Sequence, residues 1–207
     1  MHLANRLPAE AHTARPWRVH EITRDFTPED VWLLPFRGRA EDFPRLVDVV
    51  MGLDPSHGGG RLSDALWAVR WKLGELFGWD DEGAGLDSRV ATLRDRLPAD
   101  LAAGPRGPAP SAVPFRPLFL TDEEYAAEIA NRTVHGVLHL GAVPDPDDPD
   151  GAVRVQLAVI VKPNGPLGRA YLTAIRPFRR LVVYPALMRR GQDLWERAAA
   201  PDGGART

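Results

Sequence analysis

His135 and His139 stand four residues apart in the run EIANRTVHGVLHL, with Glu128 just upstream. On a helix, two histidines at that spacing share a face and could ligate one zinc ion. On a strand they also share a face but lie roughly 13 Å apart, too far for one ion. A two-residue turn at Asn131-Arg132 would set Glu128 directly opposite His135. Such a carboxylate tunes the histidine toward general-base work, so His135 and Glu128 are the catalytic candidates. The ordinary alternative is a cross-strand polar pair on the solvent side of a sheet.

Trp67 and Trp71 are one helical turn apart, with Arg70 between them. They suit a wall that stacks a planar ligand while Arg70 meets an anionic group; the ordinary alternative is plain core packing, which the all-round apolar helix favours. The three tyrosines, Tyr125, Tyr171 and Tyr184, each have a hydroxyl to offer a pocket or to leave at the surface. Other motifs exclude more than they suggest. Cysteine is absent, so disulfides, thiolate metal sites and a cysteine nucleophile are ruled out. DPSHGGG at 54–60 lacks the lysine and context of a phosphate loop, and the aspartates of PDPDDPDG at 144–151 miss the EF-hand spacing. That aspartate loop reads as a solvated hairpin end. No serine-hydrolase elbow or HExxH motif occurs. No motif for a cofactor or metal remains.

The elements that would position these residues begin with WRVHEI at 17–22, whose alternation suits a first edge strand. Thr27-Pro28-Glu29-Asp30 has the signature of a helix start, ending near Pro35. A second helix fits 42–51, closed by Gly52, and an apolar helix fits 62–77. Ser88 caps a weaker helix ending at Leu97-Pro98, before a proline- and glycine-rich loop. The main sheet starts at 115–120. Thr121-Asp122-Glu123-Glu124 matches a capping box, yet the following runs favour a strand over 122–131. Two-residue turn parity puts Tyr125, Ala127 and Ile129 on one face with Val134, Gly136, Leu138 and Leu140. Val153, Val155, Leu157, Val159 and Val161 continue it, and His135, His139 and Glu128 then point away from the helix that begins at Pro166. Pro177 and Pro185 imply a kink in that helix or its division into two segments. Its arginines, Arg176, Arg179, Arg180, Arg189 and Arg190, read as a solvated face.

A chain of 207 residues suits a single domain. Residues 1–15 read as a flexible N-terminal arm, 16–197 as the domain and 198–207 as a flexible tail. A net charge of -2 argues against a nucleic-acid partner. No apolar run reaches the roughly 20 residues of a membrane span, and no signal peptide heads the chain, so the expectation is cytoplasmic.

Several segments in order, WRVHEI, DFPRL, WAVRWKLGELFGWD, LRDRLPADL, EIANRTVHGVLHL, VKPNGPLG and PFRRLVVYPALMRR, resemble the bacterial family of domain of unknown function 2867. That family is similar to the START-like (SRPBCC) superfamily. The resemblance implies an α+β helix-grip fold: a curved antiparallel sheet gripping a long C-terminal helix, here with an enlarged helical segment after the first strand. It further implies a cavity for a small hydrophobic or aromatic molecule between sheet and helix. Ile129, Leu138, Leu157 and Val159 would floor that cavity, the helix at 62–77 with Trp67 and Trp71 would help close it, and Arg70, Tyr125 and Tyr171 would supply polar groups. An enzyme of the polyketide cyclase or dehydratase type in the same cavity, and a non-enzymatic protein-interaction module, are the alternatives.

Overall fold

The computed structural model describes residues 6–52, 86, 90–110, 114–145, 147–148, 151–185 and 188. Among the described residues six strands form one antiparallel sheet: β1 (Arg6–Leu7), β2 (Thr27–Gly38), β3 (Arg116–Leu120), β4 (Glu124–Ala130), β5 (Val134–Pro144) and β6 (Val153–Pro163). Their spatial order is β1-β2-β6-β5-β4-β3, so the first long strand lies against the last. The described helices are α1 (Glu10–Thr13), α2 (Val19–Ile22), α3 (Phe43–Met51), α4 (Ala99–Ala103) and the C-terminal α5 (Gly165–Phe178). A 3₁₀ turn at Leu93–Arg96 precedes α4, and a π-helical turn at Arg179–Val183 follows α5.

Two expectations fail at the N-terminal end. Trp17–Ile22 is not an edge strand: Val19–Ile22 is helical. The local sequence supplies no cap for it, and the Glu124 carboxylate does so from across the sheet, accepting the amides of Arg18 (2.8 Å) and Val19 (3.2 Å). Thr27–Gly38 is a strand rather than a helix. Its two faces are both covered, so the continuous run Val31-Trp32-Leu33-Leu34 suits a strand buried on both sides. Pro28 and Pro35 sit where the β2–β6 register slips, between Pro28 and Asp30 and between Leu33 and Arg37. Proline is tolerated in a sheet at such bulges. They mark bulges here, not helix boundaries. Residues expected to form a loose arm carry β1 and α1, with His12 buried.

The remaining elements agree more closely. Helix α3 ends at Gly52 as expected. The capping-box residues close the β3–β4 turn instead of a helix, with Thr121 Oγ1 accepting the Glu123 and Glu124 amides at 3.3 and 2.9 Å. In the β4–β5 hairpin Asn131 Oδ1 accepts from the Thr133 and Val134 amides, at 2.9 and 3.0 Å. The turn therefore falls on Arg132-Thr133, and each partner shifts by two from the expected pairing. A shift of two keeps every side chain on its expected face. Helix α5 then folds down onto this hairpin: a Cβ at Gly168 would meet the Thr133 carbonyl at 2.1 Å, so only glycine permits the approach. Pro177 lies inside α5, and the π-helical turn follows directly.

The sheet separates two cores. One packs Trp32, Leu34, Tyr125, Leu140, Val155 and Leu157 against α3 and Tyr184. The other packs Val31, Ala126, Val137, Ala158 and Ile160 against Trp17, α2, Leu93 and Leu101. The helix expected at 62–77, the capping role of Ser88, the 54–60 loop and the tail at 198–207 lie outside the described residues.

Candidate functional site

On the face shared with α3 and Tyr184, strand register lays out rows of neighbours. Asp30, Val159, Leu138 and Ala127 form one row, and Trp32, Leu157, Leu140 and Tyr125 the next. The second row is closed: Trp32, Leu157, Leu140 and Tyr125 are all 2 % exposed or less. Tyr125 donates its hydroxyl to the Pro108 carbonyl at 2.5 Å, and burial raises its pKa. The first row is more open. Leu138 and Val159, cross-strand partners in the two central strands, are only half-buried, as is Ile129 at the hairpin end. Gly136 separates Ile129 from Val161; a Cβ there would make ordinary contacts at 3.6 and 4.0 Å, so the glycine leaves that space unfilled. Central-strand apolar side chains normally bury fully when both sheet faces are covered.

A charged cluster borders this floor. Asp30, 1 % exposed, receives Arg180 Nε at 2.8 Å, Arg179 Nη2 at 3.1 Å and the Tyr184 hydroxyl at 3.3 Å. Glu29 holds Arg176 at 3.1 Å and Arg179 at 3.4 Å. These three arginines, expected on a solvated face, are turned onto β2 because a bulge there presents two adjacent acids. Three guanidinium groups meet two carboxylates, and the buried Nε atoms of Arg176 and Arg179 have no acceptor among the described residues. Neither has the indole Nε1 of Trp32, whose ring packs against Tyr184 at 4.9 Å between centroids. Burial, then the Asp30 charge, raises the Tyr184 pKa. Tyr171 is half-buried on α5, whereas Trp67, Arg70 and Trp71 lie outside the described residues.

The opposite face carries Glu124, Glu128, His135 and His139. The parity is as expected, but the residues do not face solvent: all four are 5 % exposed or less, because α2, the 3₁₀ turn and α4 cover them. Each glutamate reaches diagonally to a histidine. Glu128 Oε2 lies 2.9 Å from His135 Nε2, and Glu124 Oε2 lies 3.1 Å from His139 Nε2. Glu128 also accepts the Leu93 amide at 3.0 Å and the Thr92 hydroxyl, which fixes the 3₁₀ turn. His135 ends against the edge of Phe26. His139 continues: its Nδ1 is 3.1 Å from His12 Nε2, and His12 Nδ1 is 3.1 Å from His20 Nε2. Burial, followed by the two neighbouring imidazoles, lowers the His12 pKa to about 3. The His20 pKa is also lowered, first by burial. Burial opposes ionisation of Glu124, but its bond to His139 and the two backbone amides more than offset that, and its pKa is lowered.

Comparison with known families decides the relationship. A family model described as "Protein of unknown function (DUF2867)" matches residues 14–186. The chain belongs to the DUF2867 family. No curated protein and no solved structure matches it. The DUF2867 match spans both sheet faces, including Trp32, Glu124, Glu128, His135, His139 and Tyr184, but starts after β1 and His12. Among the described residues no group of three or more histidines, aspartates or glutamates is arranged to hold a metal ion, and no helix is long and apolar enough to cross a membrane. A shallow groove of about 530 Å³ lies at the far end of the sheet, where Arg37 and Arg39 are paired with Asp145, Asp147 and Glu41. Asp145, expected in a solvated loop, is buried there with Arg37 Nε at 2.8 Å and Arg154 Nη1 at 4.0 Å.

Sequence reasoning missed the Asp30–Arg180–Tyr184 cluster and the third and fourth groups of the histidine chain. The adjacent acids Glu29-Asp30 were the available signal for the first. In sequence they read as a helix start, and that helix does not form.

Proposed function

We propose that this DUF2867 domain binds a small, mostly apolar molecule between the sheet and its C-terminal helix, with a hydrogen-bond acceptor on the molecule turned toward Trp32 and the arginines. The observation that carries this reading is the half-open pair Leu138 and Val159 beside a buried indole N–H that lacks an acceptor among the described residues. Ligand sites of this kind combine an apolar lining with a few placed polar groups. An unsatisfied buried donor is costly, and a ligand carbonyl or carboxylate would relieve it. Ile129 extends the floor, whereas Tyr125 and Leu157 serve in the packed row behind it. Pairing of β2 with β6, followed directly by α5, favours the START-like helix-grip resemblance, since the long helix then returns across the face that holds Leu138 and Val159.

A cyclase or dehydratase working in that space would need an acid or base other than His135 and Glu128, which sit on the opposite face. The arginine-rich surface of an interaction module is also reduced, because Arg176, Arg179 and Arg180 are engaged by Glu29 and Asp30. Native mass spectrometry of protein purified from its own host tests the binding reading. We expect a co-purifying apolar molecule with a carboxyl or carbonyl group, and at least a tenfold lower occupancy in a folded Leu138→Phe variant. Protein that arrives empty and takes up neither decanoate nor anilinonaphthalene sulfonate would contradict it.

A further inference from the structure

The chain of groups Glu124–His139–His12–His20 lies away from the proposed binding face and joins four elements, α1 and α2 near the start of the sequence to β4 and β5 far along it. It ties α1 and α2 to the centre of the sheet. His139 stands on β5, His12 on α1 and His20 on α2, while Glu124 holds the start of α2 through the Arg18 and Val19 amides. Trp17 closes over the chain, 5.3 Å from the His139 ring, in space that Gly141 leaves: a Cβ on Gly141 would meet Trp17 Cη2 at 2.7 Å. The other charged groups against this cluster are Arg18, bonded to Glu21 and Asp100, and Arg15, stacked over Trp17. Gln156 of β6 donates to the Ala11 carbonyl beside it.

Proton counting limits what this chain can hold. Glu124 accepts two backbone amides, so its remaining contact is with an N–H on His139 Nε2. Each of the two ring-to-ring contacts, at 3.1 Å, has room for one proton. The Nδ1 of half-buried His20, which has no partner among the described residues, takes one more. Three neutral rings carry three protons in total, so the closed chain accepts a single extra proton. A second extra proton would put two N–H groups face to face. Once the segment is released the ring-to-ring contacts are gone, and that limit no longer holds for any of the three rings, His12 and His20 on the segment and His139 on β5.

We propose that this chain is a pH-operated latch: it holds residues 6–22 against the sheet while no more than one of its rings is charged, and releases them in acid. Release would unpair β1 from β2, leaving β2 as a sheet edge, and uncover the apolar face beneath Trp17, Val19 and Ile22. The lowered pKa of His12 agrees with an inner ring that resists protonation in place. The sign follows. A histidine held neutral below its ordinary value near 6.5 stabilises the closed form above that pH, and this is lost as pH falls toward the depressed value. Each excluded proton raises the opening equilibrium ~25-fold between pH 7 and pH 5, so two excluded protons raise it ~600-fold.

Amide hydrogen exchange, corrected for the intrinsic pH dependence of the chemistry, reads this directly. In the wild-type protein, protection in residues 6–22 should fall ~600-fold from pH 7 to pH 5, while β4 and β5 amides stay protected. The His20→Asn variant removes the half-buried outer ring and one excluded proton, so its fall should shrink to ~25-fold. Wild-type protection of residues 6–22 that is equal at the two pH values would overturn the latch. So would a His20→Asn variant with an undiminished pH response.

Discussion

The two glutamate–histidine pairs of the covered face are built alike and end differently. Glu124 and Glu128 lie four apart on β4, and His139 and His135 four apart on β5. Each carboxylate accepts at the start of a covering helical turn, Glu124 from two backbone amides and Glu128 from one amide and the Thr92 hydroxyl, and each meets one histidine Nε2 reached along the diagonal of the sheet. The difference lies one position away. Opposite Glu128 is Val137, which fills its own space, and His135 stops at Phe26. Opposite Glu124 is Gly141, which leaves room for Trp17, and His139 runs on through His12 to half-buried His20. One missing side chain thus separates a closed structural clamp from an extended one that can exchange protons with solvent.

The largest effect expected from breaking this comparison is at the closed clamp. Glu128→Ala strands the Leu93 amide, the Thr92 hydroxyl and His135 in a dry site, and should cost about 3–5 kcal/mol in denaturant unfolding. Glu124→Ala should cost less, about 2–3 kcal/mol, with the loss concentrated in amide protection of residues 6–22. Equal, purely global losses in the two variants would erase the distinction. A pH series sharpens it next. The wild-type protein should lose about 2 kcal/mol of stability between pH 7 and pH 5 through His12, which is held neutral in the fold and charges when freed. His12→Gln should flatten that part of the profile. The smallest effect is expected at Thr92→Val, about 1 kcal/mol, since it removes one bond to Glu128 and the cap on the Arg94 amide.

The contrast also explains which parts of the molecule can be read from its sequence. Face parity is legible because side chains alternate with a period of two: Leu138, Leu157 and Val159 share the expected face, and His135 and His139 the other. The exact register is not, because Asn131 moves the turn by one residue through bonds no pattern encodes. The family is legible as well, and residues 14–186 match it. The clamps are illegible for a physical reason. Helix α2 takes its cap from Glu124, 106 positions beyond Arg18, so a local reading of Trp17–Ile22 finds only alternation. His12 and His139 are 127 positions apart. Likewise Glu29 and Asp30 resemble a helix start until the β2 bulge and the π-helical turn bring Arg179 and Arg180 onto them.

What remains is to decide whether function lies on the face without histidines. Methyl-resolved NMR of leucine- and valine-labelled protein, titrated with decanoate, addresses that face by face. Binding beside Trp32 and the arginines predicts saturable shifts at Leu138 and Val159 and none at Val137 or Val143, which point to the histidine side. Shifts confined to Val137 and Val143, or none at Leu138 and Val159 up to saturating probe, would contradict the account.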